Sequence, residues 1–383
     1  MKIIVAGVIS LSPFSPGIAW DWLQFAVGFA RLGHDVYFVE EVEPKWCVGA
    51  DGGACPYDRS VNRDLFRSTM RQFGLAERSC QIYNGGEAAA GMSAEALRSV
   101  AKEADLLVNI SGHLKAEWVL GAPRCRAYVD QDPVFTQLWY AEYNKGLNLR
   151  AHDVFFTVGL SIGTPHTHIP DGDIRWHPLL PPVVLDYWPF RGRAGRGRFT
   201  TIASWAGYSD LSFRGEWYGT KVEEFKRFAG LPRMTDQPLE VAMKRNAWDE
   251  PGVRQLRDSG WIVSDASRIG SLAAYRDFIA ESRAEIGIAK NAYVRGRSGW
   301  FSDRSSHYLA SGKPVLAQAT GFEKHLPTGK GLLAFGTVEE AAEGIRAING
   351  DYGAHCRAAR TFAEEHLDYA RVLPRMLDAC AAA

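Results

Sequence analysis

The chain reads as an α/β protein made of two Rossmann-like halves facing one another across a cleft, and three observations carry that reading. Short apolar runs alternate with helix-length amphipathic segments twice, once starting at Ile3 and again at Phe199. Between the two series, Pro165, Pro170, Pro178, Pro181, Pro182 and Pro189 rule out regular secondary structure over most of residues 163–198. At 383 residues the chain exceeds one ordinary core and fits two domains of about 150 to 200 residues. The expected division is 1–185, 186–365 and a final helix, 366–383, that can cross back to the first domain.

In the first half, Ile3–Ala6 is a buried strand, followed by the Pro-containing loop Ser10–Gly17 and a helix over Ala19–Leu32. Leu23, Ala26, Val27 and Ala30 recur at helical spacing, so one face packs on the sheet. Gly33 ends that helix, and Asp35–Val39 is the second strand. Residues 44–62 read as a surface excursion. Helical patterning returns at Leu65–Phe73 and Ser93–Lys102. The strands Asp105–Ile110, Arg126–Val129 and Val154–Val158 complete the set. Ligands of open α/β sheets sit off the carboxyl ends of the strands, which places His113, Asp130 and Asp132 beside the crevice. No Gly-x-Gly-x-x-Gly follows the first strand, which argues against a nicotinamide dehydrogenase.

The tract Arg191–Arg198 reads as a flexible basic linker. Beyond it, strands Phe199–Ala203, Leu239–Met243, Trp261–Val263 and Glu285–Ala289 alternate with helices at Lys221–Phe228, Val253–Ser259 and Ser271–Ser282. The stretch Ser298–Ala317 is a loop, a short helix and a buried strand. Ser302 is its N-cap, Asp303 lies in the first turn, Gly312 stops the helix, and Val315–Ala317 resumes as strand. A helix start opening after a Gly-containing loop suits a phosphate, and Arg304 adds a planar fork for its oxygens. Lys290, at the end of a buried strand, needs a partner or a ligand. Helices over Glu339–Asn349, Tyr352–Glu365 and Ala370–Ala381 finish the chain.

The composition narrows the partners. Net charge is zero, with 16 Lys and Arg against 21 Asp and Glu (−5) in residues 1–190 and 28 against 23 (+5) beyond. A mildly basic second half suits an anionic nucleotide, whereas nucleic acid is a poor fit for a neutral chain. No apolar run reaches the roughly 20 residues that span a bilayer. The N-terminus reads as a strand, and six cysteines without Cys-x-x-Cys spacing fit reduced thiols, so a cytoplasmic protein is expected.

The segments Ser298–Ala317, Gln318–Glu323, Leu326–Phe335 and Val338–Ile345 resemble the donor-binding half of GT-B glycosyltransferases of the group-1-like kind. The resemblance covers residues 285–365, with Leu32-Gly-His-Asp-Val36 as an echo near the start. It implies a GT-B fold and transfer of a sugar from a nucleotide-diphosphate sugar, a UDP-sugar among the candidates, to an unidentified acceptor. It implies no metal or other cofactor, because basic side chains and a helix N-terminus carry the diphosphate charge. Lys221 sits where the family often has a lysine. The phosphate set is then Arg304, Lys221, Lys290 and the Ser302–Ser306 backbone, including Ser305 and Ser306, with Gly17 across the cleft. The loop holding Ser267 and Arg268 would meet the nucleobase. Thr320, Gly321 and Glu323 would meet sugar hydroxyls.

One departure matters. Retaining members carry two glutamates at positions that here are Gly299 and His307, so stereochemistry stays open. His307 is a candidate for a ribose hydroxyl or a packed helix histidine. An inverting reaction needs a base from the first half; His113 and Asp132 are best placed, with Asp130 and Asp21 behind them. Aromatic patches at Phe14–Trp22 and Phe135–Tyr143 offer stacking surfaces. Other readings are a nucleotide-sugar 2-epimerase, a metal-dependent transferase using Asp130-Gln-Asp132, and a non-catalytic nucleotide-sugar-binding protein. His166, His168, Asp171, Asp173 and His177 have the composition of a metal cluster, but their Pro-rich setting favours a hinge, and no metal site is expected.

Overall fold

The computed structural model describes residues 1–11, 13, 15–86, 88–143, 145, 147–192, 197–205, 209–243 and 250–382. Parts of the expected Ser10–Gly17 loop and of the basic tract, residues 193–196, lie outside the described residues.

The first lobe opens with β1 (Lys2–Ala6), α1 (Pro16–Arg31) and β2 (Asp35–Val42). Pro16 pre-sets the first turn of α1, and Trp20, Leu23, Phe25 and Phe29 bury one side of it. Each such side chain contributes about 1.5–3 kcal/mol. There follow α2 (Val61–Gln72), β3 (Ser79–Tyr83), β4 (Ala88–Gly91), α3 (Ala94–Glu103), β5 (Leu106–Ile110) and α4 (Glu117–Leu120). Ser60 and Ser93 cap α2 and α3 with side-chain hydrogen bonds. The lobe continues with β6 (Cys125–Asp130), α5 (Phe135–Ala141), β7 (Val154–Thr157) and β8 (Trp176–Pro178). Among the described residues these strands form one sheet in the order β4-β3-β2-β1-β5-β6-β7-β8, parallel except for β4. The order reverses between β1 and β5, so the loops after those strands diverge and leave a crevice.

The second lobe contains β9 (Phe199–Ile202), a small hairpin of β10 (Leu211–Phe213) and β11 (Glu216–Tyr218), α6 (Lys221–Arg227) and β12 (Leu239–Met243). Next come α7 (Pro251–Asp258), β13 (Ile262–Asp265), α8 (Leu272–Glu281), β14 (Ala284–Gly287), α9 (Asn291–Arg295), α10 (Asp303–Ala310), β15 (Val315–Gln318) and β16 (Leu332–Phe335). Its parallel sheet runs β13-β12-β9-β14-β15-β16, reversing between β9 and β14. Three helices finish the chain: α11 (Val338–Gly350), α12 (Tyr352–Phe362) and α13 (Tyr369–Ala381). A capping box of Thr337 and Glu340 starts α11.

The lobes are joined at several places. The loop before α10 pairs with the segment after β7: the Ser161 N–H donates to the Ser298 carbonyl (3.0 Å), the Leu160 N–H to that of Gly299 (3.3 Å). Trp20 Nε1 of α1 donates to the Leu272 carbonyl of α8 (2.9 Å). α13 lies against the first lobe, Leu373 and Met376 sharing an apolar cluster with Phe25 and Phe29.

Most differences from the sequence reading are of one kind. β3, β4, β8, the hairpin of β10 and β11, and the short helices α4, α5 and α9 were not expected, because each is short and most lack a sustained apolar period. Gln81 of β3 is buried with its amide bound to Glu40 and Ser10. The last turns of the expected Tyr352–Glu365 helix pass into a π-turn at Ala363–Leu367. All six cysteines are unpaired. No described helix is long and apolar enough to cross a membrane.

Candidate active site

Between the lobes lies a cavity of about 520 Å³, bounded by the carboxyl ends of β1, β5 and β6 on one side and by the starts of α6, α9 and α10 on the other. Two buried carboxylates hold its first-lobe wall. Glu40 of β2 accepts from the N–H groups of Ile9 (2.8 Å), Ser10 (2.8 Å) and Leu11 (3.2 Å) and from Ser10 Oγ (2.8 Å), fixing the loop after β1. Asp130, 0% exposed, accepts from Thr136 Oγ1 (2.6 Å), Thr157 Oγ1 (2.7 Å), Gln137 Nε2 (3.0 Å) and the Asp132 N–H (2.9 Å). That ring of donors turns the chain so that Asp132 faces the cavity.

On the second-lobe wall, Glu224 of α6 plays the equivalent part. It accepts from Asn291 Nδ2 (2.8 Å) and Gln318 Nε2 (2.6 Å), tying the start of α9 and the end of β15 to α6. The Asn291 N–H also donates to the Thr220 carbonyl (3.0 Å). Lys221 and Lys290 are thereby set side by side. Lys290 forms an ion pair with Asp132 of the other lobe and lies 5.1 Å from the ring centres of Phe135 and Tyr293. Tyr293 Oη also donates to Asp132. Arg304, 8% exposed, is anchored from below: Nε donates to Glu285 Oε1 (2.6 Å), Nη1 to the Ile202 carbonyl (2.9 Å). Two of its five N–H groups are so used, and the residue still lines the cavity.

The electrostatics follow from this crowding. Burial, then the neighbouring charges of Arg304 and Lys290, push the Lys221 ammonium down to about 7. Glu285 keeps Arg304 protonated. The helix start adds to the positive field, since Ser302, Asp303 and Arg304 all line the cavity and Ser302 makes no side-chain capping bond. Facing it, burial pushes Asp21 of α1 well above the usual carboxylate range, and the charge of Asp303 across the cavity adds to this. Asp21 is therefore shifted toward the neutral acid, and burial raises Asp303 as well, against the opposing pull of Arg304 and Lys221. His113 is drawn down to about 4, by burial first and Lys115 second, and stays a neutral imidazole.

The cavity thus gathers His113, Asp132, Lys221, Lys290, Ser302 and Arg304 of the residues singled out from sequence, together with Asp21. Others fall elsewhere. Asp130 is enclosed behind the wall, with its acceptor positions filled. Of the alternative Asp130-Gln-Asp132 pair, only Asp132 faces the cavity, where it pairs with Lys290 and accepts from Tyr293. Gly17 lies against the ring of Tyr275 (3.2 Å from an added Cβ), outside the cavity lining. Ser305 and Ser306 are buried in α10, and Ser306 Oγ donates to the Ser302 carbonyl (3.3 Å). His307 is a packed helix histidine and meets no ribose site: 1% exposed, it stacks on Trp188 with ring centres 4.2 Å apart and 12° between planes, and burial holds it at about 3.

Ser267 and Arg268 are exposed in the turn after β13, on the carboxyl edge of the sheet but three strands from β14, roughly 14 Å at the usual strand spacing. Thr320, Gly321 and Glu323 line a separate open pocket with Arg295, Arg297 and Lys324. Thr320 Oγ1 donates to the Trp300 carbonyl (2.7 Å), and the Gly321 N–H to Glu323 (3.0 Å). In the Pro-rich hinge His168 Nε2 lies 2.6 Å from Tyr218 Oη, and among the described residues no group of His, Cys, Asp and Glu could hold a metal.

The glutamate missing at 299 has a steric reason. Gly299 has φ +74°, and a Cβ there would lie 2.6 Å from the Ser161 nitrogen of the pairing segment. The backbone contact between lobes occupies the space a side chain would need. Sequence reading missed Tyr293 and Trp300, whose rings stack at 4.6 Å on the cavity wall. The only signal was their place between Lys290 and Ser302. Of the aromatic patches, Trp22 and Trp139 do line the cavity, whereas Phe14 lies outside the described residues.

Two facing Rossmann-like domains with this cleft between them constitute the GT-B fold. No protein-family model and no curated protein sequence matches the chain. Solved structures do. Anabaena HepE, in complex with UDP and glucose, aligns over 100% of both chains at 13% identity and a TM-score of 0.58. An alpha-glucosyltransferase in complex with UDP and a 13-mer DNA aligns over 100% of both at 12% identity and 0.61. Sucrose-phosphate synthase from Thermosynechococcus elongatus covers 99% of this chain and 98% of its own at 10% identity and 0.52. At such identities the likeness is one of fold.

Proposed function

We propose that this chain is a glycosyltransferase that moves a sugar from a nucleoside-diphosphate sugar, UDP-linked in the first instance, to an acceptor held by the first lobe, without a metal ion. The observation that carries the reading is the convergence of Lys221, Lys290, Arg304 and the start of α10 on one cavity wall. A diphosphate leaving group carries its charge on oxygens that such donors neutralise. Two of the structural neighbours hold UDP, which supports the choice of base.

On the other wall, His113 is a half-buried neutral imidazole whose ring makes no hydrogen bond with another described residue. It is the group we assign to take the acceptor's hydroxyl proton. An anionic donor bound nearby raises its basicity. Replacing it, as in His113→Gln, is expected to slow turnover by about 10²–10⁴-fold. Asp132 serves as the counter-charge of Lys290. Trp22, Tyr128 and Trp139 give the acceptor side a flat, aromatic lining.

Isothermal titration with UDP, ADP and GDP, each with EDTA and with magnesium, tests the reading. Saturable binding of UDP in EDTA is expected, followed by UDP release from a UDP-sugar once an acceptor is supplied. Binding of none of the three, or binding only with the cation, would overturn it.

A further inference from the structure

A second cavity, of about 350 Å³, lies where the first lobe, the second lobe and α13 meet, and shares no lining residue with the cleft. Its floor is apolar and buried: Phe156 of β7, Leu160, Leu179, Leu326 of the second lobe, and Val372 and Met376 of α13. Its rim is basic, carrying His177, His325, His366 and Arg375, with no aspartate or glutamate among the lining residues described. His325 Nε2 is engaged with Ser161 Oγ at 2.8 Å. The side chains of His177, His366 and Arg375 make no hydrogen bond or ion pair with another described residue.

The two halves of this lining specify two halves of a ligand. Apolar wall left open to water is stabilised by an apolar body that covers it, by about 25 cal/mol per Å². Arg375 is exposed and His177 and His366 are half-buried, so water serves them in the open cavity; an anionic head that replaces this water gains charge-assisted bonds, one of them from a permanent guanidinium cation. A cation would face Arg375, and a sugar would leave the floor uncovered. The volume falls at the small end of the range for small-molecule sites.

We propose that this cavity binds a small amphiphilic carboxylate, its apolar body on Leu160, Leu179 and Leu326 and its head between His177, His366 and Arg375. Burial keeps His177 and His366 below the ordinary histidine value. They act as neutral N–H donors, and Arg375 supplies the charge. Because the walls come from both lobes and from the helix that bridges them, an occupant fixes the lobes relative to one another.

Calorimetric titration of the full chain with octanoate, and with 1-octanol as its uncharged match, tests this. Octanoate is expected to bind saturably, with 1-octanol about tenfold weaker. Arg375→Glu, at an exposed position, should keep the fold and weaken octanoate by about tenfold, the equivalent of one lost charge-assisted contact. Ala379→Trp, which fills the cavity, should abolish binding; if that variant does not fold, Arg375→Glu decides. No saturable octanoate binding, equal binding of the alcohol, or an unchanged affinity in Arg375→Glu would overturn the proposal.

Discussion

The two walls of the cleft are built alike and charged unlike. Each is held by two buried carboxylates, Asp130 and Glu40 on the first lobe, Glu224 and Glu285 on the second. What they present differs. The first lobe offers a neutral imidazole and the carboxyl groups of Asp21 and Asp132; the second offers two lysines, a guanidinium and a helix start, set against the single carboxyl group of Asp303. Equivalent sheets with equivalent switch points thus carry complementary chemistry, anion capture on one side and proton handling on the other.

The strongest test of this contrast removes its support. Glu285→Gln leaves Arg304 charged, buried and without its counter-ion, and should cost about 3–5 kcal/mol in denaturant-monitored stability. A loss under 1 kcal/mol would show that Arg304 does not depend on that anchor.

Next is Lys221→Met, expected to weaken UDP binding by about 10- to 100-fold in calorimetry, the worth of one charge-assisted contact. The wild-type affinity should also fall with pH. Lys221 titrates near 7, so above that value it loses the charge that a diphosphate needs, by up to about tenfold per pH unit. Lys221→Arg should flatten that profile, and an equally steep fall in the variant would assign the titration elsewhere.

Asp21 probes the opposite wall. Its folded carboxyl titrates well above the unfolded one, so the native state holds the extra proton and stability declines as pH rises from the ordinary aspartate value toward the folded one. Glu40, Asp130 and Asp303 are raised by burial as well, so Asp21→Asn, which mimics the neutral acid, should remove its own share of that decline, at most about 1.4 kcal/mol per pH unit, in unfolding measured from pH 4 upward. Retention of the slope would mean that another group carries it.

The smallest effect concerns the pair that crosses the cleft. Asp132→Asn releases Lys290 from its partner, and UDP binding should tighten by a few-fold, within the roughly 1 kcal/mol of a partly exposed pair. Weaker binding would indicate that Asp132 is needed to place Lys290.

Much of this was legible in the amino acids. Buried strands announce themselves by apolar runs, their helices by 3.6-residue spacing, and the side chains following a strand end must lie along one edge of the sheet. That logic brings His113, Asp130, Asp132 and Lys290 to the crevice edge, and the helix start read at Ser302 adds Arg304; of these, Asp130 alone does not line the cavity. Residues carried over by family resemblance fared differently: Lys221 joined the cavity, whereas Thr320, Gly321, Glu323, Ser267 and Arg268 did not. Sequence periodicity says which way a residue faces relative to its own element, and little about what lies opposite.

What the sequence by itself determined is therefore the architecture, two α/β units joined by a proline-rich crossover, and a short roster of polar residues at strand ends. Only the tertiary structure decided which of them are free to act. Asp130 and Asp132, two residues apart, divide into a buried anchor and a cleft carboxylate because Thr136, Gln137 and Thr157 close around the first. His307 becomes core because Trp188 stacks on it, and Gly299 admits no glutamate because Ser161 approaches its backbone. The physical reason is common to all three: the deciding partner comes from another element, where no local pattern can report it.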